Sequence, residues 1–300
     1  MNRPIPMPLD DVLVGTFRTP DGTDITWHDT GGDKPVIVLA NGLGGPFSAW
    51  RYQVEFLRSR YRLVSWDYRG LYGSSRPQGD PPRLDIGAHV GDLEQLLEVA
   101  GIQRAAFIGW SMGVQVILDF YERHHEQVSH LVLINGTFGK PFDTLALPMA
   151  AKVVPLVLQH ARRYHLHGSA LLRRVTRWPE TGLWLKRLGM IDDTLDEELF
   201  REMAGEFATL DLDTYFALLR SLGDHDAAHV LESIDVPTLV ITGERDSFTP
   251  RQVAEQMARR IRGSEILVVR GATHYAAVEH PELVNLRIEK FFREQAYGAG

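Results

Sequence analysis

Ser111 lies at the centre of Gly109-Trp110-Ser111-Met112-Gly113, with a glycine two residues away on each side. Residues 105–108 before it form an apolar, strand-like run, and residues 114–121 after it contain no Gly or Pro and read as a helix. A strand that turns at once into a helix needs small neighbours at its apex. The serine there takes a strained backbone angle that points its hydroxyl out of the sheet. The helix N-terminus beneath it favours the negative charge of attack. A serine hydroxyl is a poor nucleophile near neutral pH, so it needs an imidazole to take its proton and a carboxylate to orient and charge-balance that imidazole. Two late segments offer these groups just past strand-like runs: Thr242-Gly243-Glu244-Arg245-Asp246 and Gly271-Ala272-Thr273-His274. Asp246 competes with Glu244 in the same turn and with Asp67 after an earlier strand. Of the other histidines, His124 and His125 fall at a helix end, where a cation suits the dipole, and His280 before Pro281 reads as a helix start.

The elements that must position these groups are legible as periodic runs. Residues 12–17 and 24–28 flank the turn sequence Thr19-Pro20-Asp21-Gly22 and read as a hairpin. Residues 35–40 are continuously apolar, as in a strand buried on both faces, and end in Asn41-Gly42-Leu43-Gly44-Gly45. A helix is expected over 48–57, a strand over 61–66, a helix over 86–100 and a further strand over 128–134. Residues 238–242 and 265–269 repeat the buried-strand pattern around a helix at 251–261, and a helix over 281–292 closes the chain. Alternating strands and helices argue for a mostly parallel sheet covered on both faces. From about 136 to about 229 the strand rhythm stops and a string of helices follows. Such an insertion belongs over the carboxyl edge of the sheet, where ligands bind in open α/β folds.

Ser111, Asp246 and His274 occur in the chain order of α/β-hydrolases, and the sequence resembles a capped serine hydrolase of that superfamily over essentially its whole length. The resemblance implies an α/β fold with a mostly parallel eight-stranded sheet, helices on both faces and an inserted helical cap. The core would be residues 1–137 and 228–300, and the cap 138–227. Ser111 would be the nucleophile, His274 the general base and then acid, and Asp246 the orienting acid. The family's oxyanion hole maps to the backbone N–H groups of Met112 and Leu43. Similar chains carry His-Gly-x-Pro-Gly or His-Gly-x-Gly where this one has Asn41-Gly42-Leu43-Gly44-Gly45; the glycines that let N–H groups converge remain, and Asn can donate and accept in place of His. Trp110, Asn41 and Gly42 would line the substrate pocket. Asp67, Arg69 and Gly70 resemble a structural D-x-R-G-x-G motif that braces a loop. Epoxide hydrolases and haloalkane dehalogenases of similar fold attack with aspartate, so a serine here implies acyl transfer through an acyl-serine, with water as second nucleophile. A carboxylesterase or lipase-like activity on apolar esters is expected. Acyl transfer or perhydrolysis, cleavage of a C–C or thioester bond, and a non-catalytic receptor stay open.

Composition narrows the remaining classes. The 300 residues are 44% hydrophobic and 24% charged, ordinary for a globular chain long enough to bury a substantial core. A net charge of −7 gives no overall positive field for nucleic acid. There are no cysteines, which excludes a thiol nucleophile, thiolate metal sites and disulfides. Paired metal-ligand spacing is absent and Gly42-Leu43-Gly44-Gly45 completes no phosphate-loop motif, so neither metal nor cofactor is expected. The N-terminus shows no apolar stretch of a signal peptide, and no run approaches the ~20 residues a spanning helix needs, which makes a cytoplasmic location the expectation. Residues 140–190 carry nine Lys/Arg against two acids, among many Leu and Val and two Trp. Basic, apolar helices of this kind can lie on an anionic lipid surface. The competing reading is intramolecular, with the acidic 192–206 stretch facing them and the apolar residues packing on the core. On either reading the insertion is apolar enough to predict a hydrophobic acyl pocket.

Overall fold

The apolar runs form the strands expected of them. In the computed structural model, which describes residues 9, 11–144 and 191–298, eight strands make one sheet in the order β1-β2-β4-β3-β5-β6-β7-β8. β1 (Leu13–Arg18) and β2 (Asp24–Asp29) are the expected hairpin, paired antiparallel. β2 runs antiparallel to β4 (Arg62–Trp66). β3 (Val36–Ala40), β5 (Ala105–Trp110), β6 (Val128–Ile134), β7 (Thr238–Gly243) and β8 (Glu265–Val269) continue from β4 in parallel.

The central strands are buried on both faces, and their two-residue period divides the core in two. Val38, Phe107, Leu131, Leu133 and Val240 enter one hydrophobic cluster with α2 (Ile86–Val99) and α3 (Met112–His124). Ile37, Leu39, Ile108, Val132, Ile134 and Ile241 enter the other with α1 (Arg51–Leu57) and α9, the closing helix Pro281–Glu294. The expected helix over 48–57 begins as a tighter 3-10 turn at Phe47–Trp50. β8 reads as a buried strand by composition, yet it is the sheet's edge and only half covered, with Ile266 exposed.

The interruption after β6 contains no strand among the described residues. It holds α4 (Pro141–Thr144), α5 (Glu197–Phe207) and α6 (Leu212–Asp224), each of the longer two capped by an aspartate side chain, Asp196 and Asp211. Most of the basic, apolar 140–190 stretch lies outside the described residues. α7 (Arg251–Arg260) and the short α8 (Ala276–Glu279) complete the numbering. No helix of the described residues is long and apolar enough to cross a membrane.

Candidate active site

The turn between β5 and α3 has the strained geometry the glycine spacing predicts. Ser111 takes φ +55° and ψ −115°, a backbone region that L-residues rarely adopt. Its glycine neighbours are dictated by contact. A Cβ on Gly113 would lie 2.1 Å from the Ala40 carbonyl oxygen, and one on Gly109 would lie 2.8 Å from the Gly113 backbone. The helix thus starts directly against β3 and folds back on its own strand. The Ser111 N–H donates to the Ile134 carbonyl at 3.0 Å, which pins the apex to β6.

The acid and the imidazole arrive from the ends of β7 and β8. His274 Nε2 lies 2.9 Å from Ser111 Oγ, and His274 Nδ1 lies 2.9 Å from Asp246 Oδ2. A carboxylate accepts, so Nδ1–H is the donor, and Nε2 is left with its lone pair facing the serine hydroxyl. Of the three acids the sequence left in competition, Asp246 is therefore the one in contact with His274. Glu244 points elsewhere and accepts the Gly271 N–H. Asp67 pairs with His28 at 3.2 Å and accepts the Gly73 N–H. His124 ends α3 and pairs with Glu94, and His280 stands at the start of α9 without a side-chain capping bond.

The loop after β3 closes the site. A Cβ on Gly42 would lie 3.2 Å from the Ser111 Cβ, so this backbone runs directly past Ser111. Met112 is the first residue of α3, and its N–H has no intrahelical acceptor. Leu43, in the loop, borders the same space. That space is a cavity of about 280 Å3 over Ser111 and His274, walled by Trp110, Tyr275, and Phe200, Met203 and Phe207 of α5. Gly42 and Trp110 line it, as expected. Asn41 does not: it is 2% exposed behind the loop, where its carbonyl accepts the Tyr68 hydroxyl at 2.7 Å.

A family model of the alpha/beta hydrolase fold matches residues 35–281. The chain belongs to the α/β-hydrolase fold family. Among curated relatives, it is 28% identical to 3-oxoadipate enol-lactonase 2 of Acinetobacter baylyi, over 86% of this chain and 88% of that one. It is likewise 28% identical to the 2-hydroxy-6-oxononadienedioate/2-hydroxy-6-oxononatrienedioate hydrolase of Burkholderia vietnamiensis, over 91% and 93%. Among solved structures, the enol-lactonase of Burkholderia xenovorans LB400 superposes with a TM-score of 0.76 at 24% identity, covering 93% of this chain and all (100%) of that one.

This α/β-hydrolase surrounds its three central side chains with groups that motif reading missed. Asp246 Oδ1 accepts the N–H groups of Phe248 and Thr249, both at 2.9 Å. Its Oδ2 accepts Asn135 Nδ2 and Thr249 Oγ1, both at 2.7 Å, besides His274. Burial opposes ionisation of this carboxyl, yet its interaction with His274 and these hydrogen bonds outweigh it and hold the carboxyl below the ordinary carboxylate range. Asn135 also donates to the Thr273 carbonyl at 3.2 Å, from a left-handed backbone with φ +46°. Its only sequence signal is its place directly after β6, the strand beside β5. Trp110 Nε1 donates to the His274 carbonyl at 3.0 Å, so the residue before Ser111 also holds the histidine's backbone.

Bracing of the Gly42–Gly45 loop comes from the segment that resembles D-x-R-G-x-G. Tyr68 and Tyr72 donate to the carbonyls of Asn41 and Gly44. Burial raises both phenols, which keeps them protonated and donating. Arg69 anchors the segment through Asp92 and Asp21. On the far side, Ser48 Oγ donates to Glu206 of α5 at 2.6 Å.

Proposed function

We propose that this α/β-hydrolase is a serine hydrolase that cleaves carboxylic esters with apolar acyl groups through an acyl-serine intermediate. The observation that carries the reading is the unbroken chain Ser111 Oγ, His274, Asp246, with both links at 2.9 Å. Ser111 Oγ attacks the ester carbonyl carbon while His274 Nε2 takes its proton. The oxyanion that forms lies toward the N–H groups of Met112 and Leu43, where a preformed donor contributes on the order of 10²–10³ in kcat. Collapse expels the alcohol, which takes the proton back from His274. A water then repeats the sequence and frees the acid and Ser111. Asp246 holds the imidazole in the tautomer that leaves Nε2 basic.

The walls of the cavity support the substrate class, because Phe200, Met203, Phe207 and Trp110 favour an apolar group over a charged one. α5 and α6 then serve as part of a cap, residues 138–227, over a core made of 1–137 and 228–300. An enol-lactonase relative opens an ester ring, which is in keeping with this chemistry. A second reading, hydrolysis of a C–C bond on the same three residues, draws on the oxononadienedioate hydrolase relative.

The test is hydrolysis of p-nitrophenyl esters from acetate to palmitate, with Ser111→Ala as blank. The expected outcome is a maximum at medium or long acyl chains that disappears in the variant. Ester turnover that survives Ser111→Ala would overturn the assignment. Blank-level rates on every ester, with turnover of a vinylogous 1,5-diketone, would move the reading to C–C cleavage.

A further inference from the structure

His274 stands in a short closed ring that the three-residue catalytic account does not use. Thr273 precedes it, and Glu279, the last residue of α8, follows five residues later. The Glu279 carboxylate reaches back across this turn. Its Oε2 accepts the Thr273 N–H at 2.7 Å, and its Oε1 accepts the Thr273 hydroxyl at 2.6 Å. Glu279 is fully buried, at 0% exposure. A third donor comes from a distant part of the chain: the Asp192 N–H, 2.8 Å from Oε1. Asp192 belongs to the inserted segment, next to the buried Ile191 and five residues before α5 begins. Its own carboxylate meets Arg245, the neighbour of Asp246, at 3.2 Å.

Burying a carboxylate is costly unless each oxygen meets donors, and here both oxygens meet N–H or O–H groups. A buried acid that served packing alone has no need to bind both polar groups of the residue before the imidazole. We propose that Glu279 is a positioning residue for His274: by closing the Thr273–Glu279 ring and tying it to the Asp192 backbone, it sets the distance between Nε2 and Ser111 Oγ. The ring is one of several clamps on this histidine's backbone: Trp110 Nε1 holds the His274 carbonyl, Asn135 holds the Thr273 carbonyl, and Glu279 holds the Thr273 N–H. The same carboxylate ties the histidine's loop to the inserted segment through the Asp192 backbone. This inference rests on the serine-hydrolase reading above, because it assigns Glu279 an effect on proton transfer at Ser111.

The experiment uses the full chain and the ester on which it is most active, at a temperature well below every variant's melting point. Glu279→Gln keeps the shape but puts an NH2 where one oxygen was, and either orientation sets that NH2 against a backbone N–H. The expected result is a fall in kcat on the order of 10²-fold, the effect of misplacing a reacting group by about 1 Å, with KM changed by less than about threefold. Thr273→Val, which removes the hydroxyl donor, lowers kcat less, and Thr273→Ser restores it. Because both act through one contact, the double variant Glu279→Gln/Thr273→Val is no slower than Glu279→Gln alone. A folded Glu279→Gln protein with kcat near wild type overturns the proposal, as does a loss confined to KM, or losses that multiply in the double variant. Should Glu279→Gln fail to fold, the Thr273 pair decides: Thr273→Val at the wild-type rate overturns it, and a loss that Thr273→Ser repairs upholds it. Ser111→Ala separates the two levels. Activity in Ser111→Ala sinks the serine reading itself, whereas an inactive Ser111→Ala beside a fully active Glu279→Gln sinks only the role of Glu279.

Discussion

Asp246→Asn is the sharpest perturbation of the site, because the structure dictates which way the new amide must face. The carboxylate accepts from five donors: the N–H groups of Phe248 and Thr249 on Oδ1, and Asn135, Thr249 Oγ1 and His274 on Oδ2. The two backbone donors cannot turn away, so the amide oxygen takes the Oδ1 position and the NH2 takes that of Oδ2. The Thr249 hydroxyl can rotate to accept. Asn135 cannot without exchanging its own amide ends, which would place its oxygen against the Thr273 carbonyl. His274 must then accept at Nδ1, which moves its proton to Nε2 and removes the base facing Ser111. Loss of the reactive tautomer costs about 10⁴ in kcat where this constellation has been dissected. Losing charge-assisted hydrogen bonds costs about 1.5–3 kcal/mol of stability besides. The assay is kcat and KM on the preferred p-nitrophenyl ester together with thermal unfolding, with Glu244→Gln as comparison. A folded Asp246→Asn protein within about tenfold of wild-type kcat would refute the tautomer argument. A large loss in Glu244→Gln instead would refute the choice of acid.

Two further predictions concern buried charge. Arg69→Met leaves Asp92, whose side chain has no exposure, without its guanidinium. Burial already pushes this carboxyl up to about 6 against the pull of Arg69. Removing a buried partner costs about 3–5 kcal/mol. With the folded value above the unfolded one, the protonated form is favoured on folding, so the penalty is greatest at neutral pH and shrinks as pH falls; melting points measured at pH 7.5 and 5 should show the gap to wild type narrowing, and a constant gap would count against it. Glu206 has the same sign for the same cause, since burial raises its carboxyl above the ordinary value although Ser48 opposes this. Its ionised form therefore costs stability as pH rises above the unfolded value near 4.5. Glu206→Gln should gain in melting point relative to wild type between pH 4 and pH 7.5, and an unchanged difference across that range would contradict the assignment.

The sequence carried the site where chemistry is tied to local pattern and lost it where partners meet across the fold. Gly109 and Gly113 announce the Ser111 turn because the close approach that requires them is local to one strand and one helix. Asp246 and His274 were found because each lies just past a strand run. Asn135 shares that position but lacks a reactive side chain, so nothing drew attention to it. Thr249 and Glu279 act on residues only three and six positions away, yet the turns that bring them round have no repeating period to read. Tyr68 and Tyr72 reach the Gly42–Gly45 loop across 27 and 28 residues, by contacts that no spacing encodes. Apolar composition does not separate a central strand from an edge, which is why β8 read as fully buried. The neighbours of Asn41 in sequence suggest a place in the pocket, whereas the residue is buried, its carbonyl taken by Tyr68, and it does not line the cavity.

The polar layer at the carboxyl ends of β5, β6, β7 and β8 also bears on why the site is built with more hydrogen bonds than catalysis would need. Asp246 and Glu279 are both buried beside one loop, and neither improves stability as an apolar residue of similar volume would, since burying a charge is repaid only when its hydrogen bonds are complete. What the layer supplies is a single arrangement. Asn135 joins Asp246 to the Thr273 carbonyl, Glu279 takes the Thr273 N–H and hydroxyl, and Trp110 takes the His274 carbonyl. A shift of His274 away from Ser111 would have to break several of these contacts together and leave buried donors unpaired, at about 1–3 kcal/mol each. Ser111 is itself held in a strained conformation by β6 and the two glycines. Both reacting groups are therefore fixed by their surroundings and not by their mutual hydrogen bond. On the proposed mechanism, that separation lets the bond between them break and re-form in each cycle without the site losing its geometry.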